Sequence, residues 1–361
     1  MTILSGIKII EIQGIGPAPF CGMHLADMGA DVVVIERPGP PAFGDIGDAT
    51  ITKRGKKVVK LNLKDPDHIA QLKILITKAD GLIEGMRPGV MERLGLGPDV
   101  CLALNPRLAY GRVTGWGQDG PLAQAAGHDI NYIALSGALW YAGKPGDPPF
   151  APPTLVGDIA GGALYLTIGM LAALLQAQRT NKGDVIDAAM VDGSAHMMNL
   201  ILSLKAAGGV VDKRGQSVLD GPHWFDTYEC KDGNFISLGS LEPQFYTLLL
   251  ETLGLTDDPT FKSQLDPKQW PAQKTRLAQI IKTKTRDEWS TIMEGTDICF
   301  APVLSPSEAA EHPHMKARGI YNEFDGNLET ASAPRFGSTT RKSEQFAAQS
   351  SDVKTAIDFW S

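Results

Sequence analysis

Two titratable side chains of different type, His128 and Asp158, each follow a glycine at the predicted start of a helix. A histidine exchanges protons near neutral pH, and burial among apolar groups raises the pKa of an aspartate toward that range. Either side chain could therefore act as a general acid or base. Residue type alone leaves structural alternatives open, because a lone histidine is commonly structural and Asp is a preferred N-cap.

Basic side chains cluster near predicted strand ends. Arg37 follows the second predicted strand, Arg54 lies with Lys56 and Lys57 before the third, and Arg87 follows the fourth. Ligands of open parallel sheets bind at the carboxyl ends of strands, and arginine pairs well with phosphate. The cluster therefore indicates a polyanionic ligand of the coenzyme A type, although each cation alone is more commonly a solvated surface charge.

Other ligands are disfavoured by the sequence. The formal net charge is −7, from 34 Lys and Arg against 41 Asp and Glu, which argues against nucleic acid as the main ligand. The glycine cluster at 14–19 lacks the third glycine of G-x-G-x-x-G and contains two prolines, so we predict a tight strand-to-helix turn and not an NAD site. We expect no metal and no separate cofactor, since the histidines show no ligand spacing.

The elements that must hold these residues follow a strand–helix alternation. Strands are predicted at 7–12, 31–35, 58–63, 81–84 and 108–113, with helices at 66–78, 129–139 and 158–178. The pattern predicts an α/β fold, a Rossmann-like domain with a parallel sheet covered by helices on both faces. After about residue 220, an Asp-Gly hairpin turn and amphipathic helices indicate a smaller α+β domain.

A chain of 361 residues suits two domains. We predict a large CoA-binding domain over 1–200 that is completed by about 330–361, a linker at 201–220, and a small domain over 221–329. The tail from Ser332 is predicted to be loop-like.

The sequence also predicts a cytoplasmic protein. Its four cysteines form no C-x-x-C pair, the N-terminus lacks a secretory pattern, and the C-terminus is not of the S-K-L type. The apolar segment 159–175 is short and rich in Gly and Ala, so a buried core helix is favoured over a membrane span.

A set of motifs extends over nearly the whole chain. They are L-x-G-I-K-I-I-E-I at the start, LADMGADV at 25–32, IERPG at 35–39, RPGVMERLG at 87–95, GWGQDGP at 115–121, GHDINY at 127–132, GD at 157–158 and GDVID at 183–187. Each motif alone is unspecific, but as a set they are specific. Together they resemble the α-methylacyl-CoA racemases, within the family III CoA-transferase superfamily.

The resemblance implies an interlocked homodimer of chains that each have a Rossmann-like large domain and a small domain. It implies that His128 and Asp158 are the acid–base pair and that Glu242 lies beside the histidine. Together with the cations above, it gives the residues expected to bind the CoA thioester: Arg37, Arg54, Lys60, Leu61, Asn62, Leu63, Arg87, Arg93, Gly127, Ile130, Asn131 and Tyr132.

The expected reaction is racemisation of a 2-methylacyl-CoA through an enolate, with a backbone N–H near Asp129 as oxyanion donor. The rival within the superfamily is a CoA-transferase that uses Asp158 as a nucleophile. Such transferases generally lack the histidine and carry a glycine-rich loop, whereas residues 239–243 read GSLEP here. A non-catalytic acyl-CoA-binding protein is the third alternative.

Overall fold

The computed structural model describes residues 2–39, 50–324, 326–337 and 349–360. The strands are β1 (Lys8–Ile12), β2 (Asp31–Glu36), β3 (Lys57–Lys60), β4 (Gly81–Glu84), β5 (Ala109–Thr114), β6 (Asp184–Ala189), β7 (Phe225–Glu229), β8 (Phe235–Gly239), β9 (Phe300–Val303), β10 (Tyr321–Phe324), β11 (Asn327–Thr330) and β12 (Gln349–Ser351). The α-helices are α1 (Pro17–Asp27), α2 (Pro66–Ile76), α3 (Val90–Arg93), α4 (Pro98–Leu104), α5 (Asp129–Leu135), α6 (Leu164–Thr180), α7 (Met190–Met197), α8 (Asn199–Ala206), α9 (Pro243–Leu253), α10 (Trp270–Ile281), α11 (Arg286–Met293), α12 (Pro306–Glu311), α13 (Pro313–Ala317) and α14 (Val353–Phe359). A π-helix, Leu155–Ala163, runs directly into α6.

The chain divides into two compact units. The large unit takes the described residues within 1–139, 151–198 and 320–361, and the small unit takes 140–150 and 199–319. These boundaries differ from the predicted ones in three places. Residues 140–150 and 199–220 group with the small unit, and residues 320–329 group with the large one.

The large unit contains a seven-stranded parallel sheet, which confirms the predicted α/β fold. Its order is β12-β3-β2-β1-β4-β5-β6. Both faces are covered: Ile10 of β1 packs with Val33 in one core cluster, and Ile9 packs with Val32 in the other. A strand buried on both faces needs apolar residues at consecutive positions, which is why β2 carries β-branched residues at 32–35 in one run and β1 carries the pair Ile9 and Ile10.

The strand order reverses between β1 and β4. From β1 the chain adds β2 and β3 on one side, whereas β4, β5 and β6 extend the other side. The loops that leave the carboxyl ends of β1 and β4 therefore part at this point and leave a crevice, which is where open α/β sheets bind ligands. The glycine loop after β1 and the segment Gly85–Arg87 after β4 both lie at this switch point.

The helical stretch Leu155–Thr180 is the one segment of the described chain that is long and apolar enough to cross a membrane, with a mean hydropathy of 1.7. One face of its α6 part packs in the core of the large unit, where Leu166 and Met170 are fully buried. The opposite face carries exposed Ile168 and Leu175. The predicted core helix is thus buried on one side only.

The small unit is built on the antiparallel sheet β7-β8-β9. The predicted hairpin joins β7 to β8, and Gly233 adopts the positive φ of 82° that the turn requires. Helices α9, α10 and α11 cover this sheet with a core that includes Trp224, Leu249, Leu277 and Trp289.

In the described part of the C-terminal tail, residues 349–360 form a strand and a helix in place of the predicted loop. β12 pairs in parallel with β3 at the edge of the large sheet. In and after α14, Ala356 and Trp360 enter the same core cluster as Leu72 of α2. The Ser-, Thr- and Gln-rich composition conceals these few apolar residues, whose partners lie some 280 positions earlier in the chain.

Candidate active site

His128 occupies the N-cap position of α5. Its backbone N–H donates to Oδ1 of Asn131 at 3.0 Å, and the N–H of Asn131 donates back to the His128 carbonyl at 2.8 Å. This reciprocal bonding starts the helix, while the imidazole lies on the exposed surface of the large unit.

The residues around His128 are fixed by close packing. The Tyr132 hydroxyl donates to the Gly127 carbonyl. The rings of Tyr132 and Trp116 pack edge to face, with 4.8 Å between their centroids. A β-carbon at Gly127 would come within 2.7 Å of the Tyr132 ring, so only glycine fits. The predicted segment 127–132 thus forms a rigid turn into α5.

Asp158 does not cap a helix, which was the structural alternative that its residue type left open. It lies inside the π-helix, which begins after Thr154 at a φ of 59°. π-Helices are rare and are frequent at functional sites. This one packs backbone to backbone on α7, since a β-carbon at Gly193 would lie 1.9 Å from the Gly161 carbonyl oxygen.

The carboxylate of Asp129 connects α5 to the π-helix. Its Oδ1 accepts the backbone N–H of Gly157 at 2.6 Å and that of Asp158 at 2.8 Å. Asp129 is only 7% exposed. Because Asp129 directly follows His128, this contact brings the two predicted catalytic residues into one site.

The pKa of Asp158 is raised to about 6, first by burial and then by the neighbouring negative charge of Asp129, whereas His128 opposes the rise. A carboxyl group with this pKa holds both protonation states near neutral pH, as acid–base work requires. The pKa of Tyr132 is also raised, by burial and then by the charge of Asp158, while Arg87 lowers it. Arg87 therefore belongs to the same neighbourhood.

Gly16, in the loop after β1, completes this side of the site. Its φ of 72° and ψ of −112° lie outside the range that side-chain-bearing residues adopt readily. A β-carbon there would be 3.5 Å from Oδ2 of Asp158. The carboxylate therefore faces the switch point of the sheet.

Several predicted ligand-binding residues lie at this carboxyl edge. Arg37, Lys60 and Arg87 are exposed and follow or end β2, β3 and β4. Leu63 and Arg93 line a cavity of about 480 Å³, whose walls also include Lys64 and Lys73. These six cations supply positive charge that is suited to phosphate groups.

The expectation that Arg54 binds ligand is wrong. Its side chain is buried and donates to Asp27 at 2.5 Å, to Glu329 at 3.2 Å and to the Thr330 carbonyl at 2.7 Å. Lys56 is likewise buried and bonds to Glu11 at 2.6 Å. Buried cations require such partners, so these two groups stabilise the large unit and do not face a ligand.

Three other predicted binding residues, Leu61, Asn62 and Ile130, differ in their exposure to solvent. Leu61 is 3% exposed and belongs to the core, so only its backbone can meet a ligand. Asn62 is exposed and its Oδ1 accepts the N–H of Lys64 at 3.1 Å. Ile130 is 46% exposed in the first turn of α5, beside His128.

Residues 4–350 match the sequence pattern of CoA-transferase family III. The chain belongs to CoA-transferase family III. Among proteins of this family, human alpha-methylacyl-CoA racemase is 43% identical over 88% of this chain and 82% of its own length. The mouse protein of the same name is 41% identical over the same shares. A solved CAIB/BAIF family protein from Brucella suis matches the fold with a TM-score of 0.82 at 24% identity, covering 99% of both chains.

In this family III protein, Glu242 lies at the N-cap position of α9 in the small unit. It is exposed, and its charge raises the pKa of nearby Cys299 after the larger effect of burial. Glu242 and His128 belong to different units, so the expected position of Glu242 beside His128 stays a prediction.

The sequence predicted Asp129 as a site residue through the backbone N–H at the start of α5, but not the bonds of its side chain to the π-helix. Acids are common in first helical turns for their interaction with the helix dipole, so the residue type alone did not indicate those bonds. Gly16 was taken only as part of a turn. The GHDINY and GD motifs were the available signals, but they do not state that their side chains meet.

Proposed function

We propose that this family III protein is a racemase that interconverts (2R)- and (2S)-2-methylacyl-CoA thioesters. One observation carries the proposal: His128 and Asp158 lie on separate elements that Asp129 bonds together, and the pKa of Asp158 is raised to about 6. The 41–43% identity to proteins named alpha-methylacyl-CoA racemase supports the same reaction.

The chemistry needs two groups because the hydrogen next to a thioester carbonyl is only weakly acidic. One group removes it, a planar enolate forms, and the other group returns a proton to the opposite face. The two directions of reaction need His128 and Asp158 in opposite starting protonation states. We expect the backbone N–H of Asp129 to donate to the enolate oxygen, a contribution of about 3 kcal/mol in comparable sites.

The CoA part of the substrate is assigned to the cationic edge of the sheet. Arg37, Lys60, Arg87 and Arg93 supply charge for its phosphates, and the cavity beside Leu63 offers an apolar wall. No separate cofactor is needed, because the thioester itself acidifies the carbon that reacts.

We further propose that the protein is a cytoplasmic homodimer whose two chains interlock. The outward face of α6 exposes Ile168 and Leu175, and α8 exposes Leu200 and Leu202. Large apolar residues at such density are typical of surfaces that a partner covers. Sedimentation of the wild-type chain should give twice the monomer mass, and a monomer would contradict this part of the proposal.

The proposed reaction is tested by α-deuterium exchange. A single enantiomer of a 2-methylacyl-CoA in deuterated water should incorporate deuterium and racemise with the wild type. His128→Ala and Asp158→Ala should each lower the racemisation rate by at least 100-fold. Racemisation by His128→Ala at the wild-type rate would contradict the two-base assignment.

The transferase alternative makes a different prediction. If Asp158 is a nucleophile, acyl-CoA with an acceptor acid forms a covalent intermediate on Asp158, which hydroxylamine traps as a mass change of that residue. For the racemase we expect no such change. A protein that only binds acyl-CoA would retain the binding and leave the α-hydrogen unexchanged.

A further inference from the structure

The side chain of Asp129 bonds across to a different element, although it lies in the first turn of α5. It is 7% exposed, and its Oδ1 accepts two consecutive backbone N–H groups, at 2.6 Å from Gly157 and 2.8 Å from Asp158. Because N–H groups at the start of a helix lack acceptors within that helix, the carboxylate supplies what the π-helix cannot.

The carboxylate of Asp129 packs closely against the backbone of the π-helix. A β-carbon at Gly157 would lie 2.7 Å from Oδ1 of Asp129, so the π-helix backbone rests directly on the carboxylate. From the other side, Gly193 of α7 touches Gly161 without room for a β-carbon. The π-helix is therefore held between α5, at Gly157, and α7, at Gly161 near its end.

We propose that Asp129 is the positioning residue of Asp158, because its carboxylate fixes the backbone turn from which the Asp158 side chain projects and places a negative charge beside it. The proposal rests on the proposed function for its consequence in catalysis, but the contact itself is independent of any activity.

Asp129 is the negative charge that acts on Asp158. From α5 the charged neighbours of Asp158 are Asp129 and His128, and Tyr132 of the same helix responds to its charge. From the loop before α1, the neighbour of Asp158 is Gly16, which carries no charge.

The charged groups of the other elements have neighbours of their own. On α7, Asp192 is a charged neighbour of Asp187, and the imidazole of His196 bonds to the hydroxyl of Tyr165 in α6. On β5, Arg112 pairs with Glu84 of β4 and with Glu92.

The contact is tested by amide hydrogen exchange, resolved by mass spectrometry to residues 157 and 158, on the full chain. In Asp129→Ala we expect both amides to exchange at least tenfold faster than in the wild type, because they lose their acceptor. Asp129→Asn keeps an acceptor oxygen and should stay within a few-fold of the wild type. Asp192→Asn, an exposed charge loss on α7, is the matched control with unchanged exchange. Wild-type exchange at both amides in Asp129→Ala would overturn the proposal.

The effect on chemistry is tested by the pH profile of kcat/KM for each enantiomer. Where Asp158 acts as base, the rate falls as pH drops through its pKa. Removing the negative charge in Asp129→Asn lowers that pKa, so this acidic limb moves to lower pH, whereas Asp192→Asn leaves it in place.

For Asp129→Ala we expect kcat to fall by about 100-fold, since a misplaced Asp158 carboxylate loses its alignment with the substrate. A limb that does not move in Asp129→Asn would overturn the electrostatic part. If the wild type exchanges no α-hydrogen of a 2-methylacyl-CoA, the proposed function is wrong. Amide hydrogen exchange at residues 157 and 158 still tests the contact with Asp129 in that case.

Discussion

Gly16 lies directly against the carboxylate of Asp158: a β-carbon on this glycine would be 3.5 Å from Oδ2. The glycine belongs to the loop that leaves β1 and the aspartate to the π-helix, so the carboxylate faces the point where the strand order reverses. The absence of a side chain at Gly16 keeps this face of the carboxylate open to substrate.

Gly16→Ala should lower kcat by about 10- to 100-fold, because the methyl group crowds the approach to Asp158. The positive φ of 72° adds a folding cost of about 1–2 kcal/mol. Gly6→Ala is the matched control, with a φ of 83° and nothing within 4 Å of the added carbon. It should show the folding cost with unchanged kcat. Equal kcat losses in both variants would show that strain alone is responsible.

Asp158→Asn should stabilise the protein at pH 8 but not at pH 4. The folded pKa of about 6 lies above the ordinary 3.8, so the folded state loses stability as pH rises from about 4 through 6 and stays lower above that range. The ionised carboxylate therefore costs up to about 3 kcal/mol at pH 8, at about 1.4 kcal/mol per pH unit. Urea unfolding at the two pH values measures the difference. A stability gain of equal size at pH 4 would contradict the raised pKa.

Substitution of Arg54 should lower stability and leave KM unchanged, whereas substitution of Arg93 should raise KM with little effect on stability. Arg54→Met leaves Asp27 and Glu329 buried without their partner, so we expect a loss of about 3–5 kcal/mol in unfolding free energy with KM unchanged. Arg93→Gln should raise KM for acyl-CoA about tenfold with little effect on stability, because it removes a charged contact to the nucleotide part.

A truncated thioester without the nucleotide is the control for Arg93→Gln. Its KM should be the same for the wild type and the variant. An equal rise in KM for both substrates would assign Arg93 to another role.

The small unit should lose stability in acid through His223. This buried imidazole bonds to the Tyr246 hydroxyl at 2.8 Å, and burial lowers its pKa to about 3. Since the folded pKa lies below the unfolded value, stability is intact above about pH 6.5 and falls as the unfolded chain takes up a proton, by about 3 kcal/mol at pH 4.

His223→Gln retains a partner for Tyr246 and cannot titrate, so its stability should depend less on pH between 4 and 7. Thermal melts at several pH values measure this, and exposed His314→Gln of α13 serves as control. Identical pH dependence in the wild type and His223→Gln would exclude His223 as the cause.

The sequence by itself determined the elements whose signals are local. β1 and β2 carry β-branched residues at consecutive positions because they are buried on both faces of a parallel sheet, and the Asp-Gly turn before β8 has the chemistry of a hairpin. The full set of motifs also indicated, through the family it resembles, His128 and Asp158 as the expected acid–base pair, whereas their residue types alone left structural roles open.

Only the tertiary structure decided which groups meet and which are buried. Arg54 appeared free in the sequence because its partner Glu329 lies 275 residues away. Asp158 appeared to cap a helix, whereas the carboxylate of Asp129 and the close packing of α7 hold it inside a π-helix. The physical reason is common to both: desolvation and charge pairing depend on neighbours in space, and local spacing in the chain does not encode them.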